Sequence, residues 1–171
     1  MREFSKLGIL LVLAIFLFFP ISADARTYID NETPLEVQIA CNKYGELYGI
    51  CPELLESICY QESRFDEQAL DITGSCYGLM QIQKISHRKR MDDLGVTDLY
   101  DIDSNVHVAT DYLSELFEQY EDVATVLMVY HGEKNAVRRS QQGIVSQYAK
   151  EVLERSYELE ELHGKHDIKV R

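Results

Sequence analysis

Residues 52–65 read Pro-Glu-Leu-Leu-Glu-Ser-Ile-Cys-Tyr-Gln-Glu-Ser-Arg-Phe, and this stretch decides the fold. Pro52 suits the first position of a helix, where its missing N–H has no intrahelical partner to lose. Leu54, Leu55, Ile58 and Cys59 then recur at helical spacing and mark a buried stripe. Continuing that stripe in steps of four, Leu54 leads to Ile58 and then to Glu62. The spacing therefore places a carboxyl group on the buried face, close to the helix C-terminus. Desolvation and the carbonyl end of a helix both disfavour a carboxylate. A carboxylic acid kept protonated near neutral pH is what a glycosidase uses to protonate a leaving oxygen. A glutamate at a helix end can equally reach past it into water, and spacing alone does not choose between the two.

Working outward, Thr33 and Pro34 read as an N-cap and first helical residue, opening an apolar pattern through Leu35, Ile39 and Cys41 to about Tyr48. Gly49 stops it. Between Phe65 and Ile82 the turn formers Asp71, Thr73, Gly74, Ser75 and Gly78 predict a loop or short hairpin. Lys84 to Leu94 reads as a short basic helix. Asp103 or Ser104 is a candidate cap for the next helix. There Val106, Ala109, Leu113, Leu116, Phe117 and Tyr120 recur at three- and four-residue steps. Val123 to Tyr130 is more continuously apolar, as a central buried helix is. A final Glu-rich helix runs from Ile144 to about Leu162. One mainly α domain is expected over residues 33–156, with a polar C-terminal tail over 157–171.

At the N-terminus, Arg2 and Lys6 precede an apolar run from Leu7 to Phe19, and Ala23-Asp24-Ala25 follows Pro20. This is the layout of a signal peptide over residues 1–25, cleaved after Ala25. The run is short for a spanning helix, so no stable membrane insertion is expected after cleavage. An exported monomer follows, periplasmic, wall-associated or extracellular. The net charge of −12 argues against nucleic acid, whose phosphates need Lys and Arg to neutralise them. It argues equally against an anionic membrane surface.

Export and an even number of cysteines predict two disulfides among Cys41, Cys51, Cys59 and Cys76. Cys51 and Cys59 lie too far apart along one helix to bridge. If the first two helices form a hairpin turning near Ile50, Cys41 faces Cys59, which leaves Cys51 for Cys76. Cys41–Cys51 with Cys59–Cys76 is the other open pairing. No close Cys-x-x-Cys pair is present to hold zinc. His163 and His166 have metal-like spacing but lie in the expected tail without further ligands, so no metal or cofactor is expected. His87 among Arg88, Lys89 and Arg90 reads as a solvated face, with contact to wall polymers as the second reading.

Glu62-Ser63-Arg64-Phe65, then Ala69, then Gly78-Leu79-Met80-Gln81-Ile82, resembles the signature of the soluble lytic transglycosylase family, which is lysozyme-like and related to goose-type lysozymes. Asn105-Val106 with Tyr112-Leu113, and Val129-Tyr130-His131-Gly132, are similar to that family's downstream motifs. The resemblance covers about Pro34 to Val152. It implies a lysozyme-like helical domain with a small β-hairpin or extended loop, acting on peptidoglycan glycan strands without a cofactor. It implies that Glu62 is the catalytic acid/base and that Ser63 orients it or the substrate. Gly78, Leu79, Met80, Gln81 and Ile82 become the wall of the glycan cleft, with Met80 and Gln81 touching N-acetyl groups. Tyr130 hydrogen-bonds near Glu62, and Tyr148 lines the same cleft. Met80, Ile82 and Tyr130 also suit plain core roles, and Asn105 reads better as a structural cap than as a ligand contact. Three departures from the family pattern stand out. His131 replaces the usual Asn, Ala109 a common Gly, and Gln83-Lys84 the usual Met-Pro. The activity implied is lytic transglycosylation with 1,6-anhydro products. The alternatives are a lysozyme-type hydrolase using Asp71 as second carboxylate, and a catalytically silent wall-binding module.

Overall fold

Gly49, in the left-handed conformation at φ 68°, ends the first helix, and Pro52 opens the second three residues later. These are helices α1 (Leu35–Tyr48) and α2 (Pro52–Ser63) of the computed structural model, which describes residues 31–165. The expected signal peptide lies outside the described residues. Then come β1 (Cys76–Tyr77), β2 (Ile82–Gln83), α3 (Arg88–Leu94), α4 (Ile102–Gln119), α5 (Val123–Tyr130), α6 (Ala136–Gln141) and α7 (Gln147–Leu162). The mainly helical class with one small hairpin is as the sequence predicts. Among the described residues, no helix is long and apolar enough to cross a membrane.

Helix α1 packs against α2 and α4, and α2 packs against α7. Helix α5 touches α4, α6 and α7, and its residues Ala124 to Met128 are all buried, so it is the central element its composition indicates. Leu55, Ile58, Leu79, Met80 and Leu113, from other elements, are also fully buried. A polar seam fixes α1 to α4. Asp103 of α4 accepts hydrogen bonds from Lys43 Nζ at 2.7 Å and Tyr44 Oη at 2.6 Å. On α4 the cap is Asp101, whose carboxylate accepts from Ser104 N at 2.8 Å, two residues ahead of the expected Asp103. Asp103 is instead spent on the α1 seam.

The hairpin is antiparallel, with Cys76 opposite Gln83 and Tyr77 opposite Ile82. Asn105 holds it to the helices. This side chain is 1% exposed. Its amide donates to Tyr77 O at 2.9 Å and Leu99 O at 2.7 Å, and its oxygen accepts from Met80 N at 2.8 Å. Asn105 is thus structural as expected, but it anchors the hairpin rather than capping a helix. Gly78 lies against it at φ 71°. A Cβ there would meet Leu99 O at 2.1 Å and Asn105 Nδ2 at 2.5 Å.

Three expectations need correction. The final helix ends at Leu162 as expected but starts at Gln147, after the Ser146 cap, rather than at Ile144, and because Ser156 and Leu159 are buried against the body of the domain the boundary expected after residue 156 falls inside it. His163 is no surface residue. Its side chain is 4% exposed, with Nδ1 2.6 Å from Glu53 Oε1, while Lys165 Nζ donates to Glu53 Oε2 at 2.6 Å. Burial alone would raise the Glu53 carboxyl, but hydrogen bonds from Cys51, Lys165 and His163 outweigh it and hold it at about 2. His166 lies outside the described residues. The cysteines carry no bridge. Cys41 and Cys59 are buried in mutual contact, and burial first, then Cys59, pushes the Cys41 thiol up. The first expected pairing thus remains geometrically open. Cys51–Cys76 does not. Cys51 precedes the first turn of α2 and bonds Glu53 at 3.0 Å, whereas Cys76 lies in the cleft with Glu62, at the other end of a twelve-residue helix. Such a helix spans roughly 18 Å, far beyond a disulfide's reach.

Two stability measurements follow. Glu53→Gln is expected to lower unfolding free energy by about 1–3 kcal/mol at neutral pH, the cost of unmet buried partners. Because the folded carboxyl lies below its ordinary value of 4.5, its contribution is present above that value and fades as pH falls toward about 2. Urea unfolding of both proteins should give curves that converge over that window. Gly78→Ala meets both a clash and positive φ and is expected to cost about 2–4 kcal/mol. Gly74→Ala, with the same φ but nothing within 4 Å of the added carbon, should cost less by at least half.

Candidate active site

Glu62 stands one residue before the end of α2, and the chain leaves that helix by an unusual route. Arg64 and Phe65 are both left-handed, at φ 56° and 66°, in consecutive non-glycine residues. Aromatic and cationic side chains secure this exit. Tyr60 lies between two guanidinium groups, Arg64 at 4.1 Å and Arg155 at 4.0 Å from its ring centre, and Phe65 packs at 5.5 Å from Tyr60. The Glu62 side chain is 11% exposed and opens into a cleft of about 710 Å³.

Two side chains meet its carboxylate. Tyr148 Oη donates to Glu62 Oε1 at 2.6 Å from α7, and His131 Nδ1 lies 3.6 Å from the same oxygen. Their rings stack, with centroids 3.9 Å apart and planes 12° off parallel. Tyr148 does not line the cleft as expected; it reaches Glu62 while 8% exposed. Its hydroxyl is held well above the usual tyrosine range, first by burial and then by the Glu62 charge, so it stays a donor. His131 is held above its ordinary value by the interaction with Glu62, against burial, which pulls the other way.

Of the signature residues after Glu62, Gln81 and Ile82 line the cleft, and the others build the wall behind it. Ser63 Oγ donates to Leu79 O at 2.7 Å, tying the end of α2 to the hairpin instead of orienting Glu62. Leu79 and Met80 are fully buried, and Gly78 is buried under Asn105. None of Ser63, Gly78, Leu79 and Met80 lines the cleft, so the expected contact of Met80 with N-acetyl groups is corrected: its thioether belongs to the core. Its backbone matters, because Tyr130 Oη donates to Met80 O at 2.8 Å. Tyr130 thereby braces the wall while lining the cleft. Gln81 lines it too, at φ 49°, with its amide nitrogen donating to Gly78 O at 2.9 Å.

The far side of the cleft was not legible as such. His87, Arg90, Tyr112 and Glu115 line it. Arg90 is no solvated residue: 16% exposed, it donates to Asp111 Oδ2 at 2.6 Å and to Glu115, and lies 5.0 Å from the Tyr112 ring centre. His87 packs on Tyr112 at 4.6 Å, and its pKa is lowered, first by burial and then by Arg90. Arg88 and Lys89 are exposed as expected. The available signal was the acidic pair Asp111 and Glu115, four residues apart on α4, which calls for a cation opposite. Asp71 also lines the cleft, but its oxygens accept from Thr73, Ser75 and Cys76 of its own turn. Those hydrogen bonds, Thr73 first, hold it far below the usual carboxylate range.

Among the described residues, no three His, Cys, Asp or Glu side chains are grouped to hold a metal ion. The chain is 31% identical over 81 residues to the membrane-bound lytic murein transglycosylase F of Desulfosudis oleivorans, covering 47% of this chain and 17% of that protein. It is 32% identical over 88 residues to a transglycosylase of Enterobacteria phage PRD1, covering 52% of this chain and 31% of that one. It thus spans less than a third of the length of these curated relatives. The transglycosylase SLT domain matches residues 39–152, which hold Glu62, the hairpin wall, His131 and Tyr148. By that match, over most of its length, the chain belongs to the transglycosylase SLT domain family.

Proposed function

We propose that this protein is a peptidoglycan lytic transglycosylase, exported from the cytoplasm, that cuts glycan strands with Glu62 as its one acid/base. The observation that carries the reading is the state of the three acidic residues in the cleft. Glu62 alone faces it with a carboxylate held by neighbours that leave a second oxygen for substrate. Asp71 is committed to its turn, and Glu115 to Arg90 and Gln119. Glycosidases that use two carboxylates need the second one free, as base or nucleophile. The commitment of Asp71 to its turn supports the single-carboxyl reading over the hydrolase reading, which relies on Asp71.

With one carboxyl group, the reaction divides into two proton transfers. Glu62 gives its proton to the oxygen leaving N-acetylmuramic acid as the glycosidic bond breaks. The 2-acetamido group of the same sugar supports the positive charge at C1. Glu62, now ionised and hydrogen-bonded by Tyr148, takes the proton from the sugar's 6-hydroxyl. That oxygen bonds to C1 and closes the 1,6-anhydro ring, so no water is consumed. Gln81 and Tyr130 offer neutral polar groups along the cleft for the sugars.

Digestion of purified peptidoglycan followed by mass spectrometry should give 1,6-anhydro ends. Reducing ends would establish hydrolysis, and an absence of cleavage would establish a binding module. Glu62→Gln keeps the shape but cannot exchange the proton, so turnover should fall by roughly 10²–10⁴-fold with unchanged thermal stability. Tyr148→Phe removes one hydrogen bond to a charged group, worth about 1.5–3 kcal/mol, and should lower kcat/KM by at least about tenfold.

A further inference from the structure

We infer that His131 is a positioning residue for Glu62: its imidazolium pairs with the carboxylate and steadies it for the second proton transfer. The inference rests on the acid/base role of Glu62 proposed above.

The geometry is specific. His131 is the C-cap of α5, with its backbone N–H donating to Leu127 O at 3.0 Å. The carbonyl end of a helix favours a cation there. The stack on Tyr148 fixes the ring plane, and with it the direction of Nδ1 toward Glu62 Oε1 at 3.6 Å. That separation is a charge contact that a small movement converts to a hydrogen bond. The other charged and titratable groups facing His131 act in the same sense or are neutral. Glu133, on the same turn, favours the imidazolium, although its charge is shared with Arg139 of α6 at 2.6 Å. Tyr148 of α7 remains a neutral phenol. Protonation of His131 is thus favoured from α2, from its own turn and from the end of α5.

An amide at this position could hold the carboxylate but could not charge. The imidazolium adds a positive charge beside the carboxylate that Glu62 becomes in the first proton transfer, and so supports the second. That support is lost as His131 gives up its proton, so activity should fall with rising pH through that step, and a residue at 131 that cannot charge should lack the fall.

The test compares kcat/KM against pH for the intact protein, His131→Asn and His131→Phe. The first variant keeps a polar group, and the second keeps the stack on Tyr148. Both should lower kcat/KM by about tenfold at pH values where His131 is charged and have little effect above them, so the alkaline limb of the intact protein flattens in the variants. A loss by the same factor at every pH, with the limb unmoved, would overturn the inference and leave His131 a packing residue. A second measurement does not need turnover. The His131 Cε1–H resonance is titrated by NMR in the intact protein and in Glu62→Gln. The midpoint should fall when the carboxylate is removed, and an unchanged midpoint would sink the pairing whatever the activity. Failure of the catalytic reading looks different: no anhydro product forms, while the two NMR titrations still differ.

Discussion

The fully used amide of Asn105, closed over a glycine with no room for a β-carbon, is the junction on which the site depends. Three hydrogen bonds from one buried side chain fix the backbone of Tyr77, Met80 and Leu99 relative to α4. Once Met80 is fixed, its carbonyl receives Tyr130, and the neighbouring carbonyl of Leu79 receives Ser63. The wall is therefore joined to α4, α5 and the end of α2 within four residues of chain. A buried network of this kind tolerates no partial satisfaction, because each unpaired group in a low dielectric is expensive. That is why the signature residues around Glu62 serve as joinery: they hold two pieces of backbone at a set distance on either side of the acid.

The backbone shows the same concentration of constraint. Of the four non-glycine residues at positive φ among the described residues, Arg64 and Phe65 follow Glu62 and Gln81 lies in the wall. Left-handed conformations in such residues persist only where surroundings over-determine them. Here the surroundings are visible: the guanidinium–aromatic stack on Tyr60 at the helix exit, and the Gln81 amide bonded back to Gly78 O. The second helix must stop abruptly after Ser63 so that Glu62 faces an opening rather than another turn of helix. The stack lets it stop there without a glycine.

How far the sequence could be read follows from the range of each interaction. Periodicity reports burial along one helix, so α2, α4 and α5 and the buried-face position of Glu62 were legible. So was the hairpin, from its turn formers. Side-chain roles set by partners distant in sequence were not. Met80 reads equally as cleft or core until the wall is seen from both sides. Ser63 and Asn105 choose backbone carbonyls 16 and 6 residues away, which no local pattern encodes. The His163–Glu53 contact spans 110 residues and turns an apparent tail into a clamp. The Cys51–Cys76 pairing failed for a related reason. It fixed which residues remained after elimination, but not which end of α2 the hairpin approaches.

The acidity of the chain and the chemistry of its cleft are separate matters. A net charge of −12 looks adverse to the proposed function, since muramic acid and its peptide stems carry carboxylates. At physiological salt, however, exposed charges farther apart than about 8 Å are largely screened. The cleft itself is lined mainly by neutral hydrogen-bonding groups: Gln81, Gln83, Ser86, Tyr112 and Tyr130. Its two other carboxylates are neutralised or locked, Glu115 by Arg90 and Asp71 within its turn. Each step that removes a free negative charge from the cleft lowers the repulsion an anionic glycan would meet there. It also leaves Glu62 as the one carboxyl group of the cleft lining committed neither to a guanidinium nor to its own turn. The arrangement that would make room for an anionic polymer is thus the same one that would confine the proposed acid–base chemistry to one residue.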